Sequence, residues 1–235
     1  ALATATLPIM SHQVVENDLS NFKNIISFSL RSIFFIMIPA SVGLAVLGKP
    51  LIQVLFQRGA FNAYSASITY QALLFYTIGL FAYGGIRILA TSFYSMNNTV
   101  TPVKVAACSL VINIVFNLIL MWPLKIGGLA LATSISATFN FITLFIILRK
   151  KLGGLEEKRM FISILKIILA SALMGGVCYL LAGRVLKDLA GLNILSNITR
   201  LVSVTGVGIV VFLAISFLLG MEEPRKLLKW ILKKS

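Results

Sequence analysis

Four polar side chains, Ser20, Asn24, Ser27 and Arg31, follow one another at spacings of four, three and four residues and lead into an apolar run that reaches Leu47. That spacing puts them on one face of a helix, polar over roughly its first three turns and then continuing as Phe35 and Ile38. A polar stripe that stops partway is expected of a helix lining a water-filled cavity open to one side. A guanidinium there can hold a phosphate in bidentate fashion, because its planar fork of donors matches the oxyanion. Arg31, Ser27 and Asn24 are therefore candidate substrate-binding residues. The placement calls for an explanation, since a charged side chain deep in a spanning helix costs about 2.5 to 3.5 kcal/mol. The alternatives are a side chain that reaches back to the interface and a structural ion pair. Pro39 and Gly43 follow on the same helix and form a candidate hinge, because an interior proline removes a backbone hydrogen bond.

A second polar concentration lies in CSLVINIVFNLILMW and GGLALATSISATFNF, separated only by Pro123 to Ile126. So short a connection makes the two helices antiparallel neighbours. Ser109, Asn113 and Asn117 share one face, and Thr133, Ser136 and Asn140 share another. Asn117 should lie level with Thr133, and Asn113 with Ser136. The oxygens of Asn113, Asn117 and Thr133 could coordinate Na⁺, and the sequence implies no other cofactor. The competing reading is an interhelical hydrogen-bond ladder, worth about 0.6 kcal/mol per bond, and the lack of a nearby carboxylate to offset a cation's charge favours it.

Two further basic residues fall inside apolar runs. Lys166, flanked by Ile164, Leu165, Ile167 and Ile168, reads as a snorkelling side chain. Arg87 follows Gly84 and Gly85, a pair that suggests close helix packing.

The elements that must position these residues are membrane helices. The 235 residues are 58% hydrophobic and 12% charged, with a mean hydropathy of +0.96, where soluble domains carry about 25% charged residues. Six windows, at about 25–47, 67–92, 102–122, 127–148, 161–183 and 197–220, reach the roughly 20 apolar residues a spanning helix needs. The opening ALATATLPIMSHQ reads as the end of another spanning helix, which would make the chain a fragment with seven membrane segments. The expected fold is thus all-α, a polytopic helix bundle.

The formal charge of +14 would suggest nucleic acid in a soluble protein, but here the basic residues cluster between apolar runs. They read as orienting and headgroup-binding charges, with no nucleic-acid partner. One side holds Lys23, Lys104, Arg149 to Lys151, Lys158, Arg159 and the basic C-terminus, against sparse charges such as Lys49, Arg58 and Lys125 on the other. The positive-inside rule makes the first side, and with it the C-terminus, cytoplasmic. The tail EEPRKLLKWILKKS reads as an amphipathic helix lying on anionic lipid headgroups. All seven acidic residues lie outside the windows, which argues against an intramembrane carboxylate relay. No window holds a nucleophile beside a base or paired carboxylates, so the chain does not read as an enzyme. Cys108, Cys178 and the single His12 support neither a disulfide framework nor a zinc site.

Three runs carry a family resemblance: SLRSIFFIMIPASVGLAVLGKPLIQVLFQRGAF, GIRILATSFYSMNNTVTPVK and PLKIGGLALATS. In order and spacing they resemble the C-terminal half of the MurJ (MviN) lipid II flippases of the multidrug/oligosaccharidyl-lipid/polysaccharide exporter superfamily. The most specific pieces are LFQRGAF and the pair FYS, TPVK. The resemblance implies one lobe of a MATE-like, two-lobed transporter over 1–150, two additional helices over 151–220 bordering a groove for a lipid tail, and a cytoplasmic tail over 221–235. It implies a multi-pass protein of the bacterial inner membrane that moves the undecaprenyl-diphosphate-linked peptidoglycan precursor, lipid II, outward by alternating access. It also implies that Arg31 matches a cavity arginine, and that Arg87, similar to a basic position before the FY motif, is a further candidate substrate-binding residue, with a structural role the alternative. The implied partners are lipid II, membrane lipids and the amino-terminal lobe of the same protein, which this chain does not contain. The alternatives are a Na⁺- or H⁺-coupled drug or polysaccharide-lipid exporter of the same superfamily, and a noncatalytic membrane scaffold.

Overall fold

The structure is a computed structural model, and it describes residues 8, 10–14, 16, 18–186 and 194–224. Six long helices make up almost all of them: α1 (Leu19–Phe56), α2 (Ala63–Ser95), α3 (Val100–Leu124), α4 (Ile126–Leu152), α5 (Glu157–Val185) and α6 (Ile194–Leu218). The first five each contain one of the sequence windows, the sixth window runs two residues past the end of α6, and each helix is long and apolar enough to cross a membrane. Of the expected first segment at 1–11, residues 1–7 and 9 lie outside the described residues, as does the amphipathic tail beyond Pro224.

The helix boundaries follow local chemistry. Asp18 caps α1 by accepting from the Asn21 N–H at 3.0 Å, and the helix then runs 38 residues, roughly 57 Å at about 1.5 Å per residue. It continues through Pro39 and Gly43. The LFQRGAF run is its stop signal. Arg58 donates from Nη2 to the Val54 carbonyl at 3.1 Å, Gly59 takes φ +55°, and Asn62 caps α2 by accepting from the Ser65 N–H at 2.9 Å. The region from FYS to TPVK has the same logic. Asn97 turns the chain at φ 54°, and Asn98 accepts from the Thr101 N–H at 3.1 Å to start α3. A single residue, Lys125 at φ 50°, separates α3 from α4. Gly153 ends α4 in the left-handed region, after Arg149, Lys150 and Lys151 have placed positive charge at the negative end of the helix dipole.

In space α1 is central, with α2 on one flank and α5 and α6 on the other, while α4 packs on α2 and α3 on α4. Phe34, Phe81 and Phe141 from α1, α2 and α4 meet edge to face, with centroids 5.7 to 6.1 Å apart. Small residues let the backbones approach. A Cβ on Gly84 would lie 2.8 Å from Ile33, one on Gly85 2.5 Å from the Phe141 ring, and one on Gly79 2.8 Å from the Ser134 Cα. Among the C-terminal helices, Gly175 meets Val42 and Gly208 meets Cys178 in the same way, whereas Gly176 and Gly206 face open space. Outermost α3 leaves Leu110, Ile114, Leu118 and Trp122 exposed, as a lipid-facing helix would.

The tightest approach is at the α3–α4 hairpin, where a Cβ on Gly128 would sit 2.1 Å from the Leu120 carbonyl oxygen. Backbone cannot rotate aside, so Gly128→Ala is expected to cost about 1–3 kcal/mol or more, read as a lower melting temperature in detergent. Gly43→Ala, with nothing within 4 Å of the new methyl, should leave it unchanged or raise it slightly.

Candidate functional site: a buried arginine at the junction of α1, α5 and α6

The polar stripe of α1 runs from open surface into the interior. Ser20 and Asn24 are exposed, whereas Ser27 and Arg31 are buried, Arg31 at 4% exposure. The elements that cover them are α5 and the short stretch after α6. That helix ends with Gly220 at φ +62°, the Gly220 N–H bonding the Phe217 carbonyl and the Met221 N–H the Ser216 carbonyl, both at 3.1 Å. The chain reverses, buries Met221 in the apolar core and brings Glu223, 1% exposed, against Arg31.

Arg31 donates from Nη1 to Glu223 Oε1 at 3.1 Å, and the Ser163 hydroxyl donates to the same oxygen at 2.6 Å. Three buried polar atoms nearby along α1, Arg31 Nε, Ser27 Oγ and Ser32 Oγ, have no partner. The pair is accordingly not the fork-to-fork contact an arginine and a carboxylate can make. Around it, Arg159 Nη2 reaches both carboxylate oxygens of Glu222, at 2.7 and 2.9 Å. Lys166 Nζ donates to the Leu219 carbonyl at 2.8 Å. A cleft of about 110 Å³ opens among Arg31, Arg159, Ser163, Lys166, Glu222 and Glu223. Lys166 thus ends on a carbonyl just past α6 as well as sitting near a helix end.

The sequence placed Arg31 and Ser27 on one face; the structure buries both and brings Arg31 to Glu223, which Ser163 also bonds, while the Ser27 hydroxyl has no partner. It leaves Asn24 and Arg87 exposed, Arg87 on α2 beside the tightly packed Gly84 and Gly85. Pro39 is buried, and Gly43 lies in open space within the same continuous helix. Sequence reasoning missed Glu223 and Ser163. The available signal was the pair of acids two and three residues after Gly220, which closes the last apolar run, in a chain with only seven acids.

On the other flank, Asn117 Nδ2 donates to Asn113 Oδ1 at 3.0 Å, and Asn113 Nδ2 donates to Ser136 Oγ at 3.3 Å. Thr133 Oγ1 lies 3.5 Å from Asn113 Nδ2, so Asn113, one turn deeper than Asn117, is the asparagine that meets both hydroxyls. The Oδ1 atoms of Asn117 and Asn140 are buried without partners. A cleft of about 290 Å³ opens beside Asn113, Thr133, Ser136 and Asn140.

The sequence profile of the family described as "Lipid II flippase MurJ" matches residues 1–200. The chain belongs to the MurJ lipid II flippase family. It is 33% identical over 223 residues to a probable lipid II flippase MurJ of Vibrio cholerae, covering 94% of this chain and 42% of that protein. The Haemophilus influenzae protein of the same name is 30% identical over 238 residues, with 97% and 46% covered. A solved structure titled "Lipid II flippase MurJ, inward closed conformation" superposes with a TM-score of 0.71 at 29% identity, over 92% of this chain and 42% of that one. The chain therefore spans less than half the length of the MurJ relatives it matches.

Removing one partner of a buried ion pair strands the other charge. Arg31→Leu is expected to destabilise the protein by about 3–5 kcal/mol, and Arg31→Leu with Glu223→Leu to regain most of that loss. Thermal unfolding of both single variants and the double variant measures the coupling; a double-variant loss equal to the sum of the two single losses would show that the two charges do not act as a pair.

Proposed function

We propose that this chain is the C-terminal lobe and added helices of a flippase that carries lipid II, an undecaprenyl-diphosphate-linked precursor, across the bacterial cytoplasmic membrane by alternating access, with Arg31 as a ligand for the diphosphate. The observation that carries the residue-level part is a buried guanidinium with an unpartnered Nε, on the helix whose polar stripe opens at the basic end of the bundle. A diphosphate offers several acceptor oxygens to such a fork. Family membership and the six-helix bundle support the transport reading. Moving a lipid between leaflets breaks no covalent bond, so the chain acts as a transporter and not as an enzyme. The amino-terminal lobe would complete the cavity, in keeping with the share of its relatives that the chain spans. The excess of Lys and Arg on one side supports a cytoplasmic C-terminus.

Coupling to Na⁺ is the second element of this reading. Asn113, Asn117 and Thr133 would supply neutral oxygens, and the buried, unpartnered Asn117 Oδ1 fits a cation ligand better than a completed hydrogen-bond ladder.

Arg31→Lys keeps the charge and loses the fork. In the full-length protein, as the cell's sole flippase, it is expected to reach normal membrane levels yet fail to support growth and lipid II translocation; normal function would remove Arg31 from the binding site. Na⁺ should raise the melting temperature of the unaltered protein over K⁺ at equal ionic strength, and Asn117→Leu should abolish that difference. An identical response in both proteins would sink the cation site.

A further inference from the structure

We infer that Glu223 is an internal counter-anion that holds Arg31 closed, and that an oxyanion of the phosphate class engages Arg31 and Arg159 by displacing the 221–224 segment, which carries Glu222 and Glu223. The inference rests on the reading of Arg31 as a phosphate ligand and adds to it the element that regulates access.

The contacts of this segment are those of a substitute ligand. Its two carboxylates occupy two arginines from different helices, Glu223 on Arg31 of α1 and Glu222 on Arg159 of α5. The Leu219 carbonyl occupies the ammonium of Lys166. All three cations line the same cleft. Glu222 and Glu223 both lie past the left-handed Gly220, so one movement about that glycine takes both carboxylates away together, while the Leu219 carbonyl on Lys166 lies on the α6 side of it and Glu156 stays 3.6 Å from Arg159.

The Arg31 contact is also weaker than the chemistry allows. A single carboxylate oxygen takes both the Nη1 hydrogen bond and the Ser163 hydroxyl, while Arg31 Nε remains buried without an acceptor. An unsatisfied buried donor carries its full desolvation cost. A phosphate, with more oxygens around one centre, can accept from both Nη1 and Nε and so relieve the defect that Glu223 leaves. The exchange is then between an imperfect internal pair and a better external one, which is the condition for a latch that ligand opens.

The latch lies at the end of the bundle where Arg149 to Lys151, Lys158 and Arg159 gather, the cytoplasmic end by charge. It would keep the arginine neutralised until a diphosphate arrives from that side.

The test uses the full-length protein in phosphatidylcholine nanodiscs with two probes, undecaprenyl diphosphate and inorganic pyrophosphate. Glu223→Gln preserves an acceptor for Arg31 and Ser163 but removes the competing charge. It is expected to bind undecaprenyl diphosphate at least about fivefold more tightly than the unaltered protein, about 1 kcal/mol. Ser163→Ala, which only loosens the carboxylate, should show a smaller gain and carries the test if Glu223→Gln does not fold. Arg31→Ala in the Glu223→Gln background should lose the gain. A gain for both probes identifies the oxyanion itself as the displacing ligand; a gain for the lipid alone identifies a headgroup delivered from the bilayer. Binding by the unaltered protein with no gain in either variant overturns the latch and leaves the flippase reading standing. No binding of either probe by any of the proteins overturns the Arg31 reading and the latch together.

Discussion

The buried pair of Arg31 and Glu223 is the interaction on which the arrangement of this protein depends. It joins two places 192 residues apart in sequence, one in α1 and one just beyond α6. Because α1 is the central helix of the bundle, the pair ties the two C-terminal helices to the same element that organises α2 and, through it, α3 and α4. Water would compete away such a contact at a surface, and in a low-dielectric interior neither charge tolerates losing the other. The pair is therefore specific in a way that apolar packing between membrane helices is not.

Apolar packing supplies the rest. Helices in lipid gain little from burying leucine against leucine, so their association relies on close fit. Gly79, Gly84, Gly85 and Gly128 remove side chains where α1, α2, α3 and α4 approach, and the Phe34, Phe81 and Phe141 rings fill the space beside them. The outer helix α3 shows the converse, with few buried side chains and a broad apolar face. The two runs most specific to the family turn out to be punctuation. LFQRGAF stops α1 and starts α2, and the stretch between FYS and TPVK does the same for α2 and α3. Their spacing constrains the hairpins that place the polar faces, which explains why they mark the family without touching chemistry.

The two polar groups differ in how far local sequence could describe them. The asparagine and hydroxyl residues of α3 and α4 lie on helices joined by one residue, so their meeting followed from spacing. The stagger that lets Asn113 reach both Ser136 and Thr133 depended on how closely Gly128 lets the hairpin close. Lys166 was legible as a cation near a helix end, but its acceptor, the Leu219 carbonyl, belongs to a turn of another helix.

By itself the sequence determined six helices long and apolar enough to span a membrane, the polar face ending at Arg31 and membership of a flippase family. These are properties of contiguous stretches: about 20 apolar residues satisfy the bilayer, and a period of 3.6 residues fixes a face. Only the tertiary structure decided what that face meets. Whether Arg31 opens to water or is buried against a carboxylate depends on where α5 and α6 dock and on the reversal at Gly220, and no local periodicity encodes the distance between residues 31 and 223. The long-range pairing is set by desolvation, which gives a buried guanidinium a large advantage for any acid that the fold can bring to it.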